Sequence, residues 1–298
     1  MTATEIQTRF GIPGVLRWEE TPGGLTRGVI SGPEADAVVY LHGAHVTAWT
    51  PAGHEPVLFT SSRSRFEPGV PIRGGVPVLF PWFGPRSGAP GAPLHGFARI
   101  VEWDLESARL RPDGSVEVSM TAGPTDGTRA LGFDAFQLRF RVSAGAALAM
   151  ELEVRNESQS PLHFEEALHT YFSVGDITSV SVRGLEGTTC VDKTDGFTRK
   201  QVQGPIRIAR ETDQVHLNTT AACEIHDPVR QRVITIEKDG SQTTVVWNPW
   251  IEKNRTIADM APDDWRTMLC VETANALDNA IELPAGGVHR MRAAIRVR

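Results

Sequence analysis

The sequence is poor in cysteine, in long apolar runs and in extended helical periodicity, and each shortage narrows what the chain can be. Cys190, Cys223 and Cys270 are odd in number and lack Cys-x-x-Cys spacing. That argues against a disulfide framework or a zinc knuckle and fits a reducing cytosol. Nowhere do about 18 consecutive apolar residues occur, and the opening MTATEIQTRFGIPG lacks the apolar run of a signal peptide. A soluble, cytoplasmic protein with no membrane partner is expected. A Walker-type loop, a dinucleotide fingerprint in its strand and helix context, and Ser-x-x-Lys or Gly-x-Ser-x-Gly nucleophile motifs are also missing, so nucleotide and covalent chemistry lose ground. Positive charge is not in excess. The net charge of −6 argues against a general nucleic-acid binder, while a local arginine cluster still leaves small anions open as ligands.

What the sequence has is alternation. Leu138, Phe140 and Val142 fall on one side of a run and Gln137, Arg139 and Arg141 on the other; Leu148, Met150, Leu152 and Val154 repeat the pattern after Gly145. These two runs read as antiparallel neighbours. Val116, Val118 and Met120 follow the Asp113-Gly114 turn in the same way, and Met291, Ala293, Ile295 and Val297 form the last such run. Asp195-Gly196 and Asp239-Gly240 mark further turns. Only Arg255 to Met260 and Asp126 to Leu131 look capable of a helical turn or two. With strands throughout and no break in composition, the 298 residues are expected to form one all-β domain, 1–298, a large antiparallel sandwich.

The stretch from Val70 to Arg99, VPIRGGVPVLFPWFGPRSGAPGAPLHGFAR, holds Arg73, Arg86, His95 and Arg99 among glycines and prolines. Proline fixes φ and glycine opens angles that other residues avoid, which suits a stiff, shaped wall. Arginines on such a wall would receive a carboxylate or phosphate, unless the stretch is simply a solvated connection. His169 lies in HFEEALHTYFSVGD, where period two puts it beside Ala167 and Tyr171; it is either a hydrogen-bonded structural residue or a proton-transfer group. Glu272 ends the apolar run of MLCVETAN, where a buried carboxylate needs a partner or a task. Adjacent Glu165 and Glu166 face opposite ways and cannot flank one bond. His42 and His45, three apart and without a carboxylate or thiol cluster, make a poor metal site. Asp263 and Asp264 read as turn or cap residues. Trp82 and Trp250, in proline-rich segments, are either core or platforms for a sugar face.

The segments PIRGGVPVLFPWFGPR, PLHGFAR, ALHTYFSVGD, VDKTDG, VVWNPW and DMAPDDWRTMLCVETAN, in this order, resemble the aldose 1-epimerase (galactose mutarotase-like) superfamily, specifically its hexose-6-phosphate mutarotase branch. The resemblance runs from about Val38 to Asn275. It implies a single large β sandwich, no metal and no cofactor. It also implies a small-molecule hexose phosphate as partner, whose α and β anomers a monomer interconverts. The family's catalytic histidine falls on His169 and its glutamate on Glu272, its phosphate-associated arginines on Arg73 and Arg99, and its sugar-hydroxyl aspartate on Asp192. Leu94 stands where the family often has glutamine. Arg86, His95 and Trp82 join as expected wall residues. The implied chemistry has an ionised Glu272 as base and a protonated His169 as acid. Two other readings stay open: a carbohydrate-phosphate binding module without activity, and an epimerase of unphosphorylated aldoses.

Overall fold

Period-two burial builds the fold. Along the strand Phe136–Ala144 the odd-faced residues Phe136, Leu138, Phe140, Val142 and Ala144 are buried. The strand Leu148–Asn156 pairs with it antiparallel, Leu138 opposite Val154 and Val142 opposite Met150. In the computed structural model, which describes residues 1–298, both belong to a nine-stranded sheet. Its order is Ile206–Arg207, Ser181–Arg183, Cys223–Asp227, Arg232–Asp239, Val288–Val297, Leu148–Asn156, Phe136–Ala144, Val116–Ala122 and Asp104–Leu110. An eight-stranded sheet packs against it, running Thr198–Gln201, Thr189–Asp192, Thr212–Leu217, Thr243–Asn248, Met268–Asn275, Glu166–Leu168 and Val78–Leu79, with Tyr171–Ser173 also paired to Met268–Asn275. A four-stranded meander from Leu16–Glu20 to His45–Pro51 completes the antiparallel architecture that the alternation predicts.

A cluster of 55 buried residues fills the space between the large sheets. Leu168, Phe172, Val246, Leu269 and Val271 come from the eight-stranded sheet; Leu138, Phe140, Leu152, Met291 and Ile295 come from the nine-stranded one. Each such side chain contributes about 1.5–3 kcal/mol on leaving water, which makes this cluster the main source of stability. The strand Met268–Asn275 is buried along its whole length because both of its faces are covered. Its back face joins the core. Its front face, with Cys270, Glu272 and Ala274, looks onto the Val70–Arg99 wall.

That wall enters the sheet only at Val78–Leu79, paired with Glu166–Leu168, and is otherwise irregular. Gly74, at φ 119°, lies so close to Phe59 O that a Cβ would sit 2.4 Å from it, so only glycine brings Arg73 this near the neighbouring chain.

Helices are few. Asp126–Ala130 lies where a helical turn is expected. The other expected turn starts earlier, at Trp250–Thr256, because Asn248 accepts from Trp250 N and Pro249 sits at the cap. The helix Ala3–Phe10 was not expected; its signal is the Thr2/Glu5 capping box with Ile6 and Phe10 buried one turn apart. No helix is long and apolar enough to cross a membrane.

Candidate active site

Strand register brings the two candidate proton-transfer residues together. Leu168 pairs with Thr273 and Tyr171 with Cys270, so His169 stands directly across from Glu272. Between these short strands the chain leaves the ladder, and His169 N donates to Pro77 O of the wall instead. Opposed residues point to the same face. His169 Nε2 is accordingly 3.3 Å from Glu272 Oε1, both side chains being buried. A neighbouring row on the same face runs Tyr171, Cys270, Trp247 and Asp213 across four strands.

These residues floor a cavity of about 370 Å³ whose walls include Arg73, Phe83, Leu94, His95, Arg99, Lys193 and Lys253. Lys193 Nζ bonds Asp213 Oδ2 at 2.9 Å and lies 5.4 Å from the centre of the Phe83 ring. Arg73 donates from Nε to Asp259 at 3.1 Å and from Nη1 to the Tyr171 hydroxyl at 3.0 Å. Arg99 differs: buried, it has no carboxylate partner and donates only to Leu94 O, at 2.8 Å. A bare cation held this way costs several kcal/mol, a cost that an anionic ligand would offset. Glu272 Oε2, His169 Nδ1, Arg99 Nε and Asp213 Oδ1 are all buried without a protein partner. Such unpaired groups converging on one hollow mark a ligand site.

Burial first, then the charges of Arg99, Arg73 and Lys193, hold the His169 imidazole well below its ordinary range. Burial and the Asp213 carboxylate push Glu272 well above the usual carboxylate range, with Lys193 and Arg99 opposing. The sequence reading put the proton on His169; desolvation, together with the cations' repulsion of a charged imidazole, favours it on Glu272, against the pull of Lys193 and Arg99 on that carboxylate. Burial, helped by Arg73, pushes the Arg99 guanidinium down to about 10.

The cavity thus gathers His169, Glu272, Arg73, Arg99 and His95. His95 accepts from Gly84 N through Nδ1 and sets its ring edge-on to His169, 5.7 Å between centres. Three expected substrate-binding residues are elsewhere. Asp192 pairs with Gln214 on the back face, bonded to Thr194 and to Lys200 at 3.0 Å. Its neighbours Val191 and Lys193 take the front, so period two turns Asp192 away, and the carboxylate that joins Glu272 in the cavity is Asp213. Arg86 stacks over Trp82 and Phe133 and donates to Leu131 O. Trp82 packs between Phe97 and Phe133 with its N–H on Pro93 O, as scaffold. Trp250 packs on Trp265, and Trp247 takes the place at the cavity.

Asp213, Lys193, Trp247 and Lys253 were not singled out beforehand. For Asp213 the signal was available: a lone acid in the strand run TDQVHL, the same kind of feature that marked Glu272. His42 and His45 donate from Nε2 to the carbonyls of Val70 and Gly74, at 2.9 and 2.6 Å, and so brace the segment that carries Arg73.

Residues 29–296 match the profile of the family described as aldose 1-epimerase. The chain belongs to this family. It is 37% identical over 249 residues to an Escherichia coli K12 protein named "Putative glucose-6-phosphate 1-epimerase", covering 83% of this chain and 82% of that one. A Cenchrus ciliaris protein of the same name is 32% identical over 286 residues, covering 93% and 86%. Among solved structures, one described as a "putative mutarotase" from Salmonella typhimurium superposes with a TM-score of 0.89 at 32% identity, over 97% of this chain and 95% of that one. The aldose 1-epimerase family thus agrees with the fold and with a sugar as the small-molecule substrate.

Proposed function

We propose that this enzyme interconverts the α and β anomers of hexose 6-phosphates, chiefly glucose 6-phosphate, by acid–base opening and reclosure of the sugar ring. The observation that carries this is the His169–Glu272 pair at 3.3 Å in one cavity with Arg99, a buried cation lacking a carboxylate partner. Glu272 takes the proton of the anomeric hydroxyl while His169 gives one to the ring oxygen. The C1–O5 bond breaks and the C1–O1 bond becomes a carbonyl. Rotation about C1–C2 and return of both protons close the other anomer. The pair ends as it began, with one proton. Each transfer contributes roughly 100- to 10,000-fold. Arg99 and Arg73 hold the phosphate, so binding at the far end of the sugar fixes C1 at the pair. Asp213 and Lys193 are placed for the ring hydroxyls.

The names of the Escherichia coli and Cenchrus ciliaris relatives support a phosphorylated substrate. The proposal includes a monomer acting in the cytoplasm as one unit over 1–298; the three free, buried cysteines support a reducing compartment. A second reading, an epimerase of unphosphorylated aldoses, is favoured by one observation: Arg73 is already engaged by Asp259 and Tyr171. NMR exchange spectroscopy on glucose 6-phosphate and on glucose separates the two. Faster anomer exchange for the phosphorylated sugar is expected; no acceleration over buffer would overturn the proposal, and preference for glucose would favour the second reading.

A further inference from the structure

Resting on that reading, we infer that Tyr171 is a positioning residue that links the arginine end of the cavity to His169, so that a free dianion bound at Arg73 and Arg99 switches on turnover of a sugar that lacks phosphate.

The link is contiguous. The Tyr171 ring stacks on the His169 imidazole, 4.9 Å between centres with planes 17° apart. Trp247 stands edge-on to both rings, 6.0 Å from each, and Cys270 lies opposite Tyr171 on the next strand, so the imidazole cannot tilt without moving the phenol. At its other end the Tyr171 hydroxyl accepts from Arg73 Nη1, and the same guanidinium is held by Asp259 through Nε. A dianion at Arg99 competes with Asp259 for Arg73, and whatever Arg73 does next is felt at the phenol and through it at the imidazole.

Charge works in the same direction. The ionisable groups of the cavity around His169 are Arg73, Arg99, Lys193, Lys253, His95, Tyr171, Glu272 and Asp213. A dianion that offsets Arg73 and Arg99 removes repulsion that keeps the imidazole neutral; it also weakens the pull of Arg99 on the Glu272 carboxylate, but Arg73 acts on the imidazole alone, so the balance moves towards a charged His169. The proton then passes from the Glu272 carboxyl to His169 Nε2, breaking one O–H and forming one N–H bond. This leaves Glu272 as base and His169 as acid, the distribution that ring opening requires. The phosphate of a hexose 6-phosphate would do this on binding, spending remote contacts on the reacting centre.

The test is anomer exchange of glucose, followed by NMR at constant ionic strength, with chloride replaced stepwise by sulfate. Sulfate is a dianion but a feeble base, so it adds little uncatalysed exchange. In the wild type, sulfate should raise glucose turnover saturably by about fivefold or more, the lower range of coupling between two sites. In Tyr171→Phe, which keeps the ring but loses the hydroxyl, the ratio of rates with and without sulfate should fall towards one, and in Arg99→Ala likewise. Acceleration of glucose 6-phosphate without any sulfate effect on glucose would overturn this inference alone. Sulfate activation undiminished in Tyr171→Phe would overturn the role of Tyr171. No acceleration of either sugar would sink the proposed function and this inference together.

Discussion

Two glutamate–histidine pairs use opposite faces of the eight-stranded sheet, and each is built on a buried glutamate. On the front, Glu272 faces His169 at 3.3 Å; on the back, three positions along from His169, Glu166 reaches across to His289 of the strand Val288–Val297 at 2.8 Å. The back pair ties the two sheets together. Glu166 Oε1 also accepts from Asn275, which bonds Gly240 O, and no arginine or lysine touches it. There the glutamate's bond and charge raise His289 above its ordinary range against the opposing effect of burial. On the front, full burial and then three cations hold His169 down. The same two residue types make a strut in one place and, in the proposed function, a proton-exchanging pair in the other; the difference lies in the depth of burial and in the neighbouring charges.

The largest expected effect would break that comparison outright. Glu272→Gln should lower kcat on glucose 6-phosphate about 100- to 10,000-fold, the worth of one proton transfer. Glu166→Gln should leave kcat near wild type and instead cost about 1–3 kcal/mol in denaturant unfolding, the penalty of a spoiled buried hydrogen bond. An equal loss of kcat in both would mean that the front pair is only another strut.

A second prediction sharpens the role of the bare cation. Arg99→Ala should raise KM for glucose 6-phosphate about tenfold or more, since a hydrogen bond to a charged group is worth about 1.5–3 kcal/mol. KM for glucose should change much less. Steady-state rates on the two sugars check this, and equal losses would remove Arg99 from the phosphate role.

Linkage gives the third, and the two pairs should differ in it. Glu272 has a raised pKa in the folded protein, so its contribution is full below its ordinary value and lost as pH rises through the folded value. Glu272→Gln should therefore gain thermal stability on the wild type as pH rises from 4 to 8, because it lacks that loss. His289 is also raised, so the back pair contributes fully below ordinary histidine pH and fades as pH climbs past its folded value. His289→Phe should cost more at pH 6 than at pH 9. Melting curves across pH check both; a flat difference in either would contradict the assigned shift.

The smallest effect concerns Asp192. On the back face and bonded to Lys200, it should tolerate Asp192→Asn with KM for glucose 6-phosphate unchanged, whereas Asp213→Asn should raise it.

The fold was legible because period two is local: the alternation around Gly145 and in the last strand specified buried faces that the sheets then reproduce. His169 beside Tyr171, and an acid ending an apolar run at Glu272, were legible for the same reason. Their meeting was not, because it depends on a register between strands about a hundred residues apart. Asp192 misled because sequence similarity over VDK does not say which residue of the three faces forward; only the pairing of Val191 with Val215 decides it. Arg86 and Trp82 misled because a glycine- and proline-rich wall has two sides. Its inner side carries Arg73, His95 and Arg99, and the other packs Arg86 on Trp82 and Phe133. The protonation state of the front pair was out of reach until burial and three cations could be placed around it.

The most direct test reads the two imidazoles themselves. Nitrogen NMR of ring-labelled histidine at neutral pH, assigned by His169→Asn and His289→Phe, should find one bare ring nitrogen at His169, while His289 titrates above the ordinary histidine value of 6.5. A protonated His169 in the ligand-free protein together with a low-titrating His289 would contradict the account, because burial and the neighbouring charges would then not be what separates the two pairs.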